Sequence, residues 1–486
     1  MSLYGGIELP GRPDAENVRK LDLLPIPSIR RMERLGFAID IPYLNKLSSR
    51  FSSTMKELEK DISSYIPYWA LDQFVGRSSQ IEDEEGDASI NASSAEQIAD
   101  LLFNVLKVGS GKKLKTTKGG SRISTGKRQL ETLREDHPIV AKILSYREYA
   151  KLVSTYVVSL PQLAKFHPRG ECCPVCELKH VDDTWRLHTE LPTTRAATGR
   201  IASRNPNLQN IPVRTEEGAL VRAAFIASPG TKIVSIDLSQ IELRALAHLS
   251  RCKSMIEVYE NGGDIHDDTC HKALGVPLDV KPDKYKHRMA AKRVNFGIQN
   301  GTTEKGLYLQ LVMDFGSNHV EVPKWLTEDW CKWFIEEWLN TRPEVREYFD
   351  LTHYRARRYK KSWDPFGRMR RIPEVESTHS WIRQAGLRQA QNLPVTSAAA
   401  GQLKLIMGEA EELLLEFERQ GIWAWPLLTI HDQLMVEVDG RYAEGVAEAL
   451  TPVFDRVMID KDTGEDLWRT RIESDCEVGE RWGVKE

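Results

Sequence analysis

Residues Lys232–Leu249, "KIVSIDLSQIELRALAHL", decide how this chain is to be read. The run "IVSI" is apolar and rich in β-branched residues, the composition of a buried strand. Ser239-x-x-Glu242 has the spacing of a capping box, so a helix is expected to open there. Asp237 sits where the strand gives way to that helix. With Ser239 as the expected cap, Asp237 is left for other chemistry. A second stretch, Leu427–Val438 "LLTIHDQLMVEV", reads as two short apolar strands around a turn, with His431-Asp432-Gln433 at its apex. Asp432 is then a second acid at a strand end. Two Asp side chains that converge in a cleft repel, and a divalent cation relieves the repulsion. Mg²⁺ prefers oxygen ligands and keeps waters or substrate phosphates in its shell. Two such ions about 3.5–4 Å apart serve phosphoryl transfer. The sequence does not itself bring the two acids together.

Asp283–Gly301, "DKYKHRMAAKRVNFGIQNG", holds Arg288, Lys292, Phe296 and Asn300 at intervals of four. At about 100° per residue they drift about 40° per step and make one stripe on a helix. Two cations, a ring and an amide suit a nucleoside triphosphate laid along the helix, with phosphates on the cations and the base on the ring. A solvated amphipathic helix accounts for Arg288 and Lys292 but poorly for Phe296. Thr193–Pro212, "TTRAATGRIASRNPNLQNIP", shows little periodicity and is dense in groups that bond sugar, phosphate and base edges. A loop of that length and chemistry is usually functional.

The chain has 486 residues, 41% hydrophobic and 28% charged, which is a soluble globular composition with room for roughly two to four lobes. A net charge of −3 does not favour nucleic acid, so local patches must. Lys112–Arg128 carries seven cations and no acid, and its Gly, Ser and Thr content predicts a mobile, phosphate-contacting loop. Arg355–Arg371 carries eight cations and one acid, interleaved with aromatics. Glu82–Asp87 is an acidic, solvated turn. Ser94-x-x-Gln97 is expected to cap a helix. There is no signal-peptide pattern and no apolar run long enough to cross a bilayer. Seven cysteines, mostly scattered, suit a reducing cytoplasm.

"HPRGECCPVCELKH", His167–His180, contains one zinc-knuckle half, Cys173-Pro-Val-Cys176. His167 and His180 complete a four-ligand set for structural Zn²⁺, with Cys172 as an alternative. The competing reading is a surface loop of reduced thiols, because zinc sites usually bring two clear ligand pairs. In "HDDTCH" (His266–His271) the two histidines would lie about 140° apart on a helix, which speaks against a metal hydrolase.

In chain order stand "TGRI", "NPNLQNIPVR", "DLSQIELRALAHLS", "DIHDDT", "LGVP", "RMAAKRVNFGI", "FGRMRRIP" and "IHDQLMVEV". With them the chain resembles the polymerase region of family A DNA polymerases, the bacterial DNA polymerase I type, from about Asp22 to the end. The resemblance implies an α+β, largely helical right hand whose palm holds an antiparallel sheet. Its parts would be a leader at 1–22, a base segment at 23–54, the thumb at 55–150, the thumb-to-palm connection and palm at 151–237, fingers at 238–381 and palm again at 382–486. It implies template-directed addition of deoxynucleotides to a primer 3′ end with two Mg²⁺. Asp237, Asp432 and the backbone carbonyl of Leu238 match the metal ligands. Arg288, Lys292 and His266 match the triphosphate grip, with Lys292 placed to protonate the leaving pyrophosphate. Phe296, Gln240 and Asn300 complete the nucleotide site, and Glu242 matches the residue that crowds the sugar 2′ position. Arg200, Asn207, Gln209, Arg388, Asn392, Thr396 and His431 match DNA contacts near the primer terminus. Lys127 and Arg128 extend the DNA path to the thumb.

Four positions depart from the family pattern: Gln433 for Glu, Asn300 for Tyr, Thr396 for Gln and Leu238 for Tyr. Gln433 is expected to raise the Mg²⁺ requirement, and Asn300 with Thr396 to alter fidelity. About twenty residues precede the matching region, so the expectation is no proofreading in this chain. A separate exonuclease or replisome protein would supply it. Such a compact polymerase, expected to be a monomer, would suit a bacteriophage. Three other functions compete: a reverse transcriptase, a single-subunit RNA polymerase, or a catalytically weakened DNA-binding relic. Glu242 speaks against ribonucleotide use, and the presence of Asp237, Asp432, Arg288 and Lys292 against the relic.

Overall fold

The computed structural model describes residues 3–484 apart from 75–89, 118–119, 121, 171–172, 174–177, 179–182, 213–214 and 319. The acidic turn at Glu82–Asp87 lies outside the described residues. At the centre is a four-stranded sheet of β1 (Thr231–Leu238), β2 (Ala424–Ile430), β3 (Gln433–Asp439) and β4 (Ser474–Gly479). The order is β2-β3-β1-β4 and every pairing is antiparallel. Ile233, Val234 and Ile236 of β1 are buried, as their apolar, β-branched character predicts. β2 and β3 are joined through His431-Asp432, and the register closes with Ile430 opposite Gln433. His431 takes a left-handed φ of 54° to make so short a turn. β1 lies against β3 with Asp237 opposite Gln433, so the turn stands beside the end of β1.

Helix α1 (Ala15–Leu23) is capped by the Asp14 side chain, which accepts from the Asn17 N–H. The segment expected as a leader is thus folded from residue 3 onward. It packs on the hairpin of Lys361–Trp363 and Met369–Arg371: the Asp14 N–H donates to Gly367 O (3.0 Å), and Asn17 Nδ2 to Phe366 O (2.9 Å). Helix α2 (Ile41–Ser63) packs against α3 (Pro138–Leu152). Around their ends an apolar cluster from Ile62 to Tyr146 forms a core apart from the main one. Ser94 caps its helix, accepting from the Gln97 N–H. Gln97 Oε1 turns instead to the Asn91 N–H (2.8 Å), so only half of the expected box forms.

Between β1 and β2 lie α4 (Ile241–Ser250), α5 (Ile265–Leu274), α6 (Met289–Ile298) and α7 (Ser380–Arg419). α7 has 40 residues and, at about 1.5 Å each, runs about 60 Å. It passes through the core on small residues. A Cβ added at Gly401 would stand 2.4 Å from the Phe366 ring. The architecture is α+β and largely helical, as expected. No helix among the described residues is long and apolar enough to cross a membrane.

Candidate active site

Asp237 and Asp432 meet at the end of the sheet. The Leu238 N–H donates to the Asp432 carbonyl (3.2 Å), which ties the β2–β3 turn to the end of β1. Asp237 is exposed at its strand end, yet the protein around it strips enough water to raise its carboxyl to about 6. The charges of Asp475 and Glu477 add to this, and Asp475, on β4, is the register partner of Asp237. Burial likewise raises Asp432 to about 6; Arg200 opposes the shift, while Glu242 and Asp237 add to it. Asp432 Oδ1 is buried and has no hydrogen-bond partner, with the Arg200 guanidinium 3.8 Å away. A buried oxygen left without a donor is costly, and both carboxyls resist ionisation as they stand. An unpartnered carboxylate beside a second one is a donor set that a hard divalent cation accepts, so the residues present fit Mg²⁺. Gln433 points elsewhere: its Nε2 donates to Ser235 Oγ (2.7 Å) on β1.

The expected capping box at Ser239 does not form. The N-cap of α4 is Gln240, with a left-handed φ of 52° and no capping side-chain bond. The Ser239 N–H donates to Glu473 O, and Gln240 Oε1 accepts from the Tyr259 hydroxyl (3.3 Å). Glu242 is drawn away by longer-range partners. Arg200 Nη2 donates to its Oε1 (2.7 Å), and Gln299 Nε2 donates to its Oε2. A charged partner outbids a backbone N–H for a carboxylate, which is why the spacing misled.

The predicted stripe is assembled from three pieces. Arg288 ends a π-helical turn (Lys284–Arg288), Lys292 and Phe296 ride on α6, and Asn300 falls two residues beyond its end. Lys292 is exposed. Arg288 is held by Asp264 (2.5 Å) and Asp267 (2.9 Å) from the start of α5. Burial would lower its affinity for a proton, but those two acids raise it. His266 is buried, and burial pushes it down to about 4 against the pull of Asp264, so it is neutral at pH 7. Its tautomer follows from its neighbours. Asn295 Oδ1 accepts from Trp338 Nε1 (2.5 Å) and from Thr269 Oγ1 (3.0 Å), which turns Asn295 Nδ2 toward His266 Nδ1 (2.8 Å). Nδ1 therefore accepts and the hydrogen stays on Nε2, a donor suited to an anionic oxygen. The rings of His266 and Phe296 lie 5.6 Å apart.

Asn300, Asn392 and Thr396 form one chain. Asn392 Nδ2 donates to Asn300 Oδ1, and Thr396 Oγ1 donates to Asn392 Oδ1 (2.7 Å). Two of the four departures from the family pattern are thus coupled through Asn392. Beside them a cavity of about 520 Å³ runs past Phe296, Asn300 and Arg388. A second, of about 340 Å³, opens onto Arg370, Arg388 and Asn392. The Arg388 stem crosses Gly301 so closely that a Cβ there would stand 2.5 Å from Cγ, and φ is +62°. Gly199 is pressed in the same way by Arg368. Among the loop residues, Asn207 closes a local turn onto the Gln209 N–H (3.0 Å). Gln209 Nε2 spans Ile201 O (3.2 Å) and Thr429 O (3.1 Å), so its amide holds the loop to β2. His431 is exposed, yet partial loss of water around its ring, with Arg200 and Arg222 nearby, lowers its proton affinity.

The basic loop is partly structured. Thr116 bridges Ile123, Lys112 pairs with Asp136 (2.6 Å) and Arg122 with Glu96 (3.1 Å). Lys127 and Arg128 are exposed at the start of a short helix, Lys127–Glu131. Of the zinc set, Cys172, Cys176 and His180 lie outside the described residues. His167 and Cys173 are buried, with Cys173 Sγ 3.1 Å from His167 Nδ1. His167 Nε2 lies 3.0 Å from His188 Nε2, a neighbour that sequence reasoning did not include. Sequence reasoning also missed Asp264, Asp267, Gln299 and Asp475, whose roles come from contacts between distant segments.

Residues 42–484 match the family model described as DNA polymerase family A. The chain is 36% identical over 429 residues to the thermostable DNA polymerase I of Thermus aquaticus, covering 88% of this chain and 44% of that protein. It is 34% identical over 428 residues to DNA polymerase I of Deinococcus radiodurans, covering 88% of this chain and 39% of that protein. The chain thus spans less than half the length of these curated relatives. Its fold is similar to the POL domain of Pol1 from M. smegmatis, solved in complex with DNA primer-template and dNTP. The TM-score is 0.75 at 26% identity, over 96% of this chain and 72% of that one.

Proposed function

Since the chain belongs to DNA polymerase family A, we propose that it is a template-directed DNA polymerase that extends a primer 3′ end with deoxynucleotides. The observation that carries this is the Asp237–Asp432 pair: two carboxyls raised to about 6 at one sheet end, one with a buried oxygen that lacks a partner. Asp237, Asp432 and the Leu238 carbonyl would hold two Mg²⁺. When bound, the ions supply activation of the primer hydroxyl and stabilisation of the leaving pyrophosphate. Arg288 and Lys292 hold the triphosphate, His266 adds its Nε2–H, and Lys292 donates a proton to the leaving group. Phe296 packs on the nucleotide, Gln240 and Asn300 border it, and Glu242 crowds the sugar 2′ position. Arg200, His431, Arg388, Asn392 and Thr396 face the primer terminus and its base pair, with Asn207 and Gln209 holding the neighbouring loop.

Primer-template would lie between the thumb, with Lys127 and Arg128, and the basic helix end and hairpin at 355–371. The apolar cluster from Ile62 to Tyr146 supports a thumb at 55–150, and the sheet supports palm segments at 151–237 and 382–486, with fingers at 238–381. A cytoplasmic setting accords with this substrate. Primer extension with Mg²⁺ tests the reading, comparing dNTPs with NTPs and the intact chain with Asp237→Ala. Extension by the intact chain with dNTPs alone is expected. No extension, or equal extension by Asp237→Ala, would refute it.

A further inference from the structure

Glu242 is gripped at both oxygens, and one grip comes from a residue with no assigned role. Gln299 follows α6 directly and is fully buried. Its Nε2 donates to Glu242 Oε2, while its Oε1 is buried with no partner. An apolar side chain of similar volume would avoid that orphaned oxygen, so burying an amide here is destabilising unless the Glu242 bond offsets it. The backbone at this point is fixed independently. Gln391 of α7 donates from Nε2 to Ile298 O (2.8 Å) and to Gln299 O (3.3 Å). That leaves the Gln299 side chain aimed at Glu242 with little freedom.

On the other oxygen, Arg200 Nη2 donates to Glu242 (2.7 Å) and lies 3.8 Å from Asp432 Oδ1. A continuous path of contacts therefore runs from α7 through Gln299 and Glu242 to Arg200 and the metal-binding acid. Gln299 also ends the segment that carries Lys292 and Phe296, so the Glu242 bond joins the nucleotide-gripping helix to the palm.

We propose that Gln299 is a positioning residue that sets sugar selection by clamping the Glu242 carboxylate in one rotamer. The inference rests on the reading of Glu242 as the residue that crowds the sugar 2′ position. A carboxylate held at one oxygen only can swing, and a residue that excludes a hydroxyl by bulk must not swing. Deoxynucleotides, which do not touch that wall at the 2′ position, gain little from the clamp, whereas ribonucleotides are rejected by it.

The test compares kcat/KM for a dNTP and its matching NTP on one primer-template, in the intact chain, Gln299→Leu, Gln299→Met and Glu242→Ala. Melting curves accompany each variant. Removing a hydrogen bond to a charged group predicts a fall in the dNTP/NTP ratio of roughly tenfold in both Gln299 variants. The change should come from better NTP use, with dNTP kcat within about twofold. A general loss of fold would lower both substrates together and leave the ratio alone, and that result overturns the proposal. So does an unchanged ratio in both Gln299 variants. If Glu242→Ala nonetheless lowers the ratio, the Glu242 reading stands and only the clamp is lost. If Glu242→Ala leaves it unchanged, the role of Glu242 fails and the clamp with it.

Discussion

In the proposed right-hand reading, the palm end of the sheet and the fingers helix treat charge in opposite ways. On the palm, burial raises Asp237 and Asp432 to about 6, with Asp475 and Glu477 adding to it at Asp237 and Glu242 and Asp237 adding to it at Asp432, and Arg200, 3.8 Å from Asp432, offsets this only in part. On the fingers, Arg288 is already neutralised by Asp264 and Asp267. The palm is electrostatically unfinished and stays rigid, since strand register and the Leu238–Asp432 bond fix both acids. On that reading the fingers grip is already paired and would exchange partners when a triphosphate arrives. Metal binding would then relieve the carboxyl repulsion at the sheet end, whereas nucleotide binding would compete with contacts already made.

The largest expected effect breaks the palm side. Asp432→Asn keeps the shape and removes the charge, and single-turnover primer extension should fall at least ~10³-fold. Next comes the pH dependence of the metal-free protein. Both carboxyls titrate near 6 in the folded state, above the ordinary Asp value of 3.8. Between those values the native state binds more protons than the unfolded one, so stability rises as pH falls through 6 and is lost again as pH rises. Metal affinity runs the other way, since protons compete for the same oxygens. Asp237→Asn should therefore raise the metal-free melting temperature at pH 7.5, by roughly 1–3 °C, while abolishing extension. An unchanged or lower melting temperature would mean that the palm holds no such strain.

The fingers side is sharpened by Asp267→Asn. Freeing Arg288 from one competitor should lower KM for dNTP by roughly twofold to fivefold, the scale of a half-exposed ion pair. A higher KM in steady-state kinetics would show that Asp267 orients Arg288 and does not compete with substrate. The smallest effect is expected at Gln433. Its amide is spent on Ser235, so Gln433→Glu should lower the Mg²⁺ midpoint only about twofold. An identical midpoint in a Mg²⁺ titration would show that this position never serves as a ligand.

Much of this comparison was legible in the sequence where local pattern decides geometry. Alternation and β-branching placed Asp237 and Asp432 at strand ends, and the four-residue interval put Lys292 and Phe296 on one helical face. The failures lie where a distant residue wins. Ser239-x-x-Glu242 has capping spacing, but Arg200 and Gln299 take the carboxylate. "DIHDDT" gave no sign that two of its acids hold Arg288, because that pairing joins α5 to the turn before α6. The buried Arg186–Glu437 pair at the central sheet is equally silent, its partners 251 positions apart. The Asn300–Asn392–Thr396 chain shows that single departures from a motif can be one change in space.

The most direct measurement is the stoichiometry of Mn²⁺ binding by electron paramagnetic resonance, with the protein on a primer-template ended by a dideoxynucleotide and the next dNTP bound. Two ions per chain are expected, with at least one lost in Asp432→Asn. The same stoichiometry and affinity in both proteins would mean that Asp432 holds no metal.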